Sequence, residues 1–343
     1  MDIESVISLV RGNINRLKPY STARDEYKGV LGIVLDANEN PFPNGYNRYP
    51  DPQQTLLKEK LSSIKSIPAE NIFVGNGSDE AIDLCIRIFC EPRIDNIVTI
   101  APTYGMYSVA AAINDIEVRE VQLGNDFALP ADALLAASDT NTKLMFICSP
   151  NNPTGNSFPI EQLRWILEYF NGVVVVDEAY VDFSSQNSML SMLDEYDNLI
   201  VLQTLSKAYG LAALRLGIAF AHKDIIGLFA KVKYPYNINL AGMERAMELL
   251  ERDIRSEIDV IIEERRRVSH ELEVLKCVVK VYPSDANFLL VKVKDASSIY
   301  NRLIREQIIV RDRSHVKGCE GTLRITIGTP QENDRLLDIL KSF

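Results

Sequence analysis

An apolar run from Leu199 to Gln203 gives way to Thr-Leu-Ser-Lys-Ala-Tyr-Gly-Leu-Ala-Ala-Leu-Arg-Leu-Gly, residues 204–217. The run reads as a buried strand, so Ser206 and Lys207 stand just past its end and Arg215 one short loop further on. A lysine among small and apolar neighbours is poorly solvated. Desolvation, or a second cation nearby, favours the neutral amine, which adds to an aldehyde carbon. Ser206 and Arg215 contribute a hydroxyl and a forked cation, the groups that hold a phosphate. A small molecule carrying both an aldehyde and a phosphate would engage all three. A Ser-Lys pair after a strand is common, so the remaining contacts must come from elsewhere in the chain.

Three further stretches supply them. Gly75-Asn-Gly-Ser-Asp-Glu lies at a strand-to-helix turn, where glycines admit close approach and the free N–H groups of the helix start bind an anion. It is not a dinucleotide fingerprint, because Glu80 occupies the third glycine position. An ordinary helix capped by Ser78 or Asp79 explains it as well. Ser149-Pro-Asn-Asn-Pro-Thr-Gly155 holds two adjacent amides, more than a turn requires. In Val173-Val-Val-Val-Asp-Glu-Ala-Tyr180, four valines deliver a carboxylate into a buried setting, where a lone charge is costly without a partner. A protonated ring nitrogen is such a partner for Asp177, and Asn152 and Tyr180 could donate to a ring oxygen. Aldehyde, phosphate, ring nitrogen and ring oxygen together describe pyridoxal phosphate, whose protonated ring is an electron sink.

The elements that position these residues alternate from Thr55 onward. A helix at 55–65 leads to a strand at 71–75 and a helix through Phe89. Further strands are expected at 97–101, 117–123, 144–149, 173–178, 199–204 and 217–221, most of them continuous apolar runs between helical segments. That alternation predicts an α/β fold whose mostly parallel seven-stranded sheet is covered on both faces, a three-layer large domain. A charged helical stretch at 243–275 leads to strands at 278–282, 287–293, 308–311 and 322–327 with two helices, a smaller α+β domain. The boundaries expected are 41–244 for the large domain, and 1–40 with 245–343 for the small one. Residues 36–52, rich in proline and asparagine, read as a long loop, ordered or disordered.

Composition narrows the partners. With Lys+Arg 37 against Asp+Glu 47, a net charge of −10 argues against a nucleic-acid or anionic-membrane surface. No apolar run reaches the roughly 18 residues of a membrane helix, and the acidic Met-Asp-Ile-Glu-Ser start lacks the build of a signal peptide. Five scattered cysteines read as reduced core thiols of a cytoplasmic protein. Three dispersed histidines, His222, His270 and His315, are too few for a metal cluster or a Ser-His-Asp triad, so no metal is expected.

In order, Asn-Glu-Asn-Pro, Gly-Asn-Gly-Ser-Asp-Glu, Ser-Pro-Asn-Asn-Pro-Thr-Gly, Asp-Glu-Ala-Tyr, Ser-Lys and Leu-Arg-Ile-Thr-Ile-Gly resemble the fold-type I pyridoxal-phosphate aminotransferases. Within that family they resemble the histidinol-phosphate branch, from Tyr20 to about Gly328. The resemblance implies amino transfer between histidinol phosphate and 2-oxoglutarate, in histidine biosynthesis. A threonine-phosphate decarboxylase or a broad aromatic-amino-acid aminotransferase on the same fold are the rival readings.

The resemblance also implies roles. Lys207 attaches the cofactor and shuttles the proton, Asp177 pairs with the ring nitrogen, and Asn152 and Tyr180 hold the ring oxygen. Tyr104 stacks on the ring, with Tyr107 the less favoured choice. Gly77, Ser78 and Asp79 hold the phosphate through their backbone, with Ser206, Arg215 and, from the second subunit of a homodimer, Tyr49. Tyr20, Asn38, Arg311 and Arg324 surround the substrate. Two departures stand out: Ala213 where a glycine is usual, and a segment from Arg311 to Arg324 that adds Arg313, His315 and Lys317. The choice between Arg311 and Arg313 stays open at this point.

Overall fold

The computed structural model describes residues 1–20 and 32–343. Strands β1 (Ile72–Asn76), β2 (Asn96–Ala101), β3 (Glu117–Gln122), β4 (Thr142–Cys148), β5 (Val173–Asp177), β6 (Leu199–Thr204) and β7 (Leu216–Phe220) form one sheet in the order β1-β7-β6-β5-β4-β2-β3. β7 is antiparallel to both of its neighbours and the other pairings are parallel, so six strands run one way and β7 alone runs back. The four valines of β5 show why such strands read as unbroken apolar runs. Val174 and Val176 enter the core on one face, Val173 and Val175 the core on the other.

One core is roofed by α3 (Thr55–Lys65), α6 (Ala131–Ala136), α7 (Ile160–Tyr169) and α9 (Leu240–Leu249), the other by α4 (Ser78–Phe89), α5 (Met106–Ile113) and α8 (Lys223–Val232). The short N-terminal helices α1 (Ile3–Ser8) and α2 (Gly12–Arg16) depart from expectation. Val6, Val10 and Ile14 join the cluster of Phe73, Ile82 and Phe89, and the Arg11 N–H donates to the Ile88 carbonyl at 2.9 Å. Helical spacing announces an apolar face but not what covers it. This stretch packs on the large sheet, which corrects its assignment to the small domain.

The charged stretch at 243–275 is also two helices rather than one. α9 ends at Leu249 and α10 spans Arg255–Glu273. Between them Leu250 and Ile254 turn inward, and Asp253 accepts from the Arg255 N–H at 3.0 Å, a local side-chain bond that competes with continuing the helix.

The C-terminal unit carries a second sheet in the order β10-β11-β9-β8, from β8 (Val278–Val281), β9 (Phe288–Val293), β10 (Arg311–Asp312) and β11 (Thr322–Thr326). β10 is shorter than the strand expected at 308–311. Alternation along β9 sends Leu289, Val291 and Val293 toward α10, α11 (Ala296–Arg305) and α12 (Pro330–Leu340). Phe288 packs instead with Tyr180, and Leu290 with Phe127, so this sheet's other face lies against the large unit. Residues 36–52 hold no helix or strand but are tied together, for the Glu39 carboxylate accepts from Arg48 and from the Tyr49 N–H, both at 2.7 Å. No helix among the described residues is long and apolar enough to cross a membrane.

Candidate active site

Parallel strands end at the same edge of the sheet, and the crevice outside their carboxyl ends is where open α/β sheets bind ligands. β5 ends there at Asp177, β4 leads into the Ser149–Gly155 loop, and β6 leads to Ser206 and Lys207. Gly77, Ser78, Asp79, Tyr104, Asn152, Asp177, Tyr180, Ser206, Lys207 and Arg215 line a single cavity.

Its floor is a buried carboxylate. Asp177 is 2% exposed, and burial lifts its carboxyl from 3.8 to about 6, offset by hydrogen bonds from the Tyr107 hydroxyl to Oδ2 at 2.7 Å and the Ala179 N–H to Oδ1 at 3.1 Å. No cation forms an ion pair with it among the described residues. A carboxylate held in this way gains most from a cationic ring nitrogen arriving in the cavity. Lys207 faces the same space with Nζ 5.6 Å from the Tyr180 ring centroid. Burial, then the Arg324 and Arg215 cations, pull its ammonium below the ordinary range against the opposing pull of Asp177. That is the setting in which an amine becomes available as nucleophile and base.

The anion cradle lies at the start of α4. Its cap residue is Gly77, at φ +76°, and no side chain caps the helix, so neither Ser78 nor Asp79 is the N-cap. The first N–H groups of the helix therefore remain to meet a ligand, at the positive end of the helix dipole. A Cβ on Gly77 would fall 2.6 Å from Arg215 Nη2, so a side chain here would fill the cradle. Arg215, itself left-handed at φ +55°, accepts from the Gly77 N–H through its carbonyl at 2.6 Å, which locks loop and helix start together. The Asp79 carboxylate accepts from the Tyr104 hydroxyl at 2.9 Å and pairs with Arg215 at 3.4 Å, which fixes both side chains at the cavity wall. With the Gly77 N–H taken up by the Arg215 carbonyl, the next N–H groups of the helix start, the Arg215 guanidinium and Ser206 form a donor set suited to a phosphate, and the carboxylate and amine suit the ring and aldehyde of pyridoxal phosphate.

The cavity opens onto a wider one, which shares Tyr104, Asn152, Tyr180 and Lys207 and adds Arg311, Arg313, Lys317 and Arg324. Arg311 and Arg324 face each other in the β10–β11 register. Arg324 lies over the Phe288 ring and donates to Asn152 Oδ1 at 2.5 Å, joining the two units of the chain across the site. The loop that carries Asn152 is braced on both sides. Asn151 is fully buried, donates to the Pro102 carbonyl and to Thr154, and accepts from Thr103. Further along, the Asp285 N–H donates to the Gly155 carbonyl at 2.7 Å and the Asp285 carboxylate accepts from the Ser157 N–H at 3.1 Å.

Of the residues singled out in the sequence, three stand apart from these cavities. Asn38 and Tyr49 line a separate cavity beside Tyr236, on which Tyr49 stacks with ring centroids 4.4 Å apart. Tyr20 is 74% exposed. Tyr107 is not at the cavity wall but buried behind it, stacked on Phe146 and bonded to Asp177, so it is no candidate to cover a ring. Helical phase is the signal that separates it from Tyr104: Tyr107 starts the second residue of α5 and turns into the core.

The sequence profile of the family described as aminotransferase class I and II matches residues 33–340. The chain belongs to the class I and II aminotransferases. Among its relatives, the histidinol-phosphate aminotransferase of Parabacteroides distasonis is 53% identical over 336 residues, 97% of either chain. That of Bacteroides thetaiotaomicron is 52% identical over 344 residues, 99% of either chain. The crystal structure of the histidinol-phosphate aminotransferase from Sinorhizobium meliloti, in complex with pyridoxal-5′-phosphate, matches with a TM-score of 0.78 at 25% identity. It covers 86% of this aminotransferase and 82% of its own chain.

Proposed function

We propose that this aminotransferase binds pyridoxal phosphate and moves an amino group between L-histidinol phosphate and 2-oxoglutarate, working in the biosynthetic direction from imidazole-acetol phosphate and L-glutamate as a step of histidine biosynthesis. The observation that carries the reading is one continuous space. The Lys207–Asp177–Gly77 cradle opens directly onto Arg311 and Arg324, two guanidiniums that suit a second anion on the substrate. Relatives about half identical over nearly the whole chain bear that activity in their names, which favours it over the decarboxylase and the broad aromatic aminotransferase.

When bound, the cofactor supplies an aldehyde for amine exchange and a protonated ring that draws electrons from the reacting carbon. Asp177 keeps the ring nitrogen protonated, and Asn152 and Tyr180 donate to the ring oxygen. The start of α4, Ser206 and Arg215 hold the phosphate, and Tyr104 covers the ring. Lys207 Nζ anchors the cofactor and carries the proton that the substrate's Cα loses. Arg311 and Arg324 orient the substrate through its anion.

The reading extends to a homodimer with shared sites. Tyr49 lies outside its own chain's cavity and is half exposed, which suits a hydroxyl delivered to a neighbour's phosphate. A reducing cytoplasm suits the five free cysteines, all buried. Mixing Lys207→Ala with Tyr49→Phe subunits should restore activity, because each hybrid dimer then holds one intact site. Hybrids verified by mass that stay inactive would rule out the shared site.

The decisive assay measures 2-oxoglutarate released from glutamate in the presence of imidazole-acetol phosphate, alongside CO₂ released from threonine phosphate. Borohydride treatment of the loaded protein should leave the label on the Lys207 peptide. CO₂ release without amino transfer would replace this reading by the lyase.

A further inference from the structure

We propose that Arg313 is a third guanidinium of the substrate-anion site, selecting a dianionic phosphate monoester over a monoanionic carboxylate. This rests on the amino-transfer reading given above and sharpens its substrate.

The wider cavity has a lopsided charge. Lys207, Arg311, Arg313, Lys317 and Arg324 line it, against Glu120 as its single carboxylate. By contrast, Arg267 is held by Glu264, Glu271 and Asp334, and Arg119 by Glu117 and Asp139. Arg311, Arg313 and Arg324 make no ion pair among the described residues, although like charges gathered in a half-buried space repel one another. An anion shared among them would relieve that repulsion.

Arg313 is the member with the least to hold it. Its backbone is fixed, the N–H donating to the Thr322 carbonyl at 3.0 Å and the carbonyl accepting from the Val316 N–H at 2.8 Å. Its side-chain Nε is buried with no hydrogen-bond partner. A buried donor left unmade is costly, and Arg313 lines the cavity, where an anion could meet the rest of its guanidinium. Burial first, then the Arg324 and Arg311 cations, disfavour its charge, and an anion beside it would offset that penalty. Arg311 and Arg313 stand two residues apart on one extended segment and so project to the same side.

The two amino-group partners of the proposed reaction then differ in what they ask of this wall. A carboxylate has two oxygens, and one fork satisfies them. A phosphate monoester offers three terminal oxygens and, above its second pKa of about 6, two negative charges. Arg324, already bonded to Asn152, serves either anion. Arg313 has a partner only when the third oxygen and second charge are present.

The test uses the pyridoxal-phosphate-loaded protein and two unreactive probes, n-propyl phosphate and butanoate, with affinities measured by titration calorimetry. Arg313→Gln should weaken n-propyl phosphate by about 10- to 100-fold, the worth of a hydrogen bond between charged groups, and butanoate by far less. Arg313→Lys, which keeps the charge without the fork, should fall between. In the wild type n-propyl phosphate should tighten as pH rises through 6, and Arg313→Gln should flatten that rise. Equal losses for both probes, or an unchanged ratio, would overturn the proposal. Failure of the wild type to transfer amino groups would sink the wider reading, while the probe ratio would still decide this one.

Discussion

Tyr107 and Asp177, 70 residues apart in sequence, are joined by a 2.7 Å hydrogen bond from hydroxyl to carboxylate inside the core. Tyr107 is fully buried, so its hydroxyl serves only this carboxylate and the neighbouring Cys148 thiol. The bond favours the charged form of Asp177, whose other oxygen is anchored by the Ala179 N–H.

Tyr107→Phe should therefore cost activity without emptying the site. The stacked contact with Phe146 survives, but Asp177 loses a donor and its carboxyl rises further. A hydrogen bond to a charged group is worth about 1.5–3 kcal/mol, so kcat should fall roughly 10- to 100-fold. Steady-state kinetics and a spectral titration of the bound cofactor would read it. Wild-type turnover in the variant would show the bond to be structural only.

Asp177→Asn should remove catalysis yet stabilise the cofactor-free protein at neutral pH. The folded state holds the Asp177 proton up to about pH 6, whereas the unfolded chain releases it near 3.8. Between those values the folded state binds more protons, so stability falls as pH rises and the deficit persists above pH 6. Asparagine has no charge to bury, and the gain should be on the order of 2–3 kcal/mol at pH 7.5, vanishing by pH 4. Melting temperatures of both proteins across that range, without cofactor, would show it. A difference independent of pH would point to packing instead.

Gly217→Ala should dislodge the anion cradle. A Cβ there would lie 2.0 Å from the Ser78 nitrogen and 2.2 Å from the Gly77 carbonyl carbon, and backbone cannot swing aside as a side chain can. The cost should reach about 1–3 kcal/mol or more of stability, with weaker cofactor binding. Gly227→Ala is the control. It stands within α8 with open space where its Cβ would go, so alanine there should add about 0.5–1 kcal/mol. Denaturant unfolding and cofactor titration of both variants would separate the two effects.

Much of this was legible in the chain itself. Unbroken valines and a carboxylate at their end announce a buried strand with a charged tip, because sheets covered on both faces need apolar residues on both. Gly77 announced a tight turn, and Lys207 an amine without water. What stayed hidden was pairing at a distance. The apolar residues of α1 could not say that Val6 meets the large sheet, and nothing near Arg324 names Asn152 as its partner. Tyr107 was legible as a choice for the ring but not as a brace for Asp177, since its role depends on which way α5 turns against β5. The start of α4 carries Ser78 and Asp79, both good caps by composition, yet the cap is Gly77 because its positive φ brings the backbone under Arg215.

The residues of the inner cavity all lie between Gly77 and Arg215, while the arginines of the outer one begin at Arg311. A chain leaving the ribosome therefore completes the lining of its inner cavity well before the arginines of the outer one exist. In that interval Asn152 has neither Arg324 to bond nor Asp285 to steady its loop. The nascent protein thus gains the lining of its inner cavity first, and the contacts that brace the Asn152 loop from Asp285 and β11 arrive last.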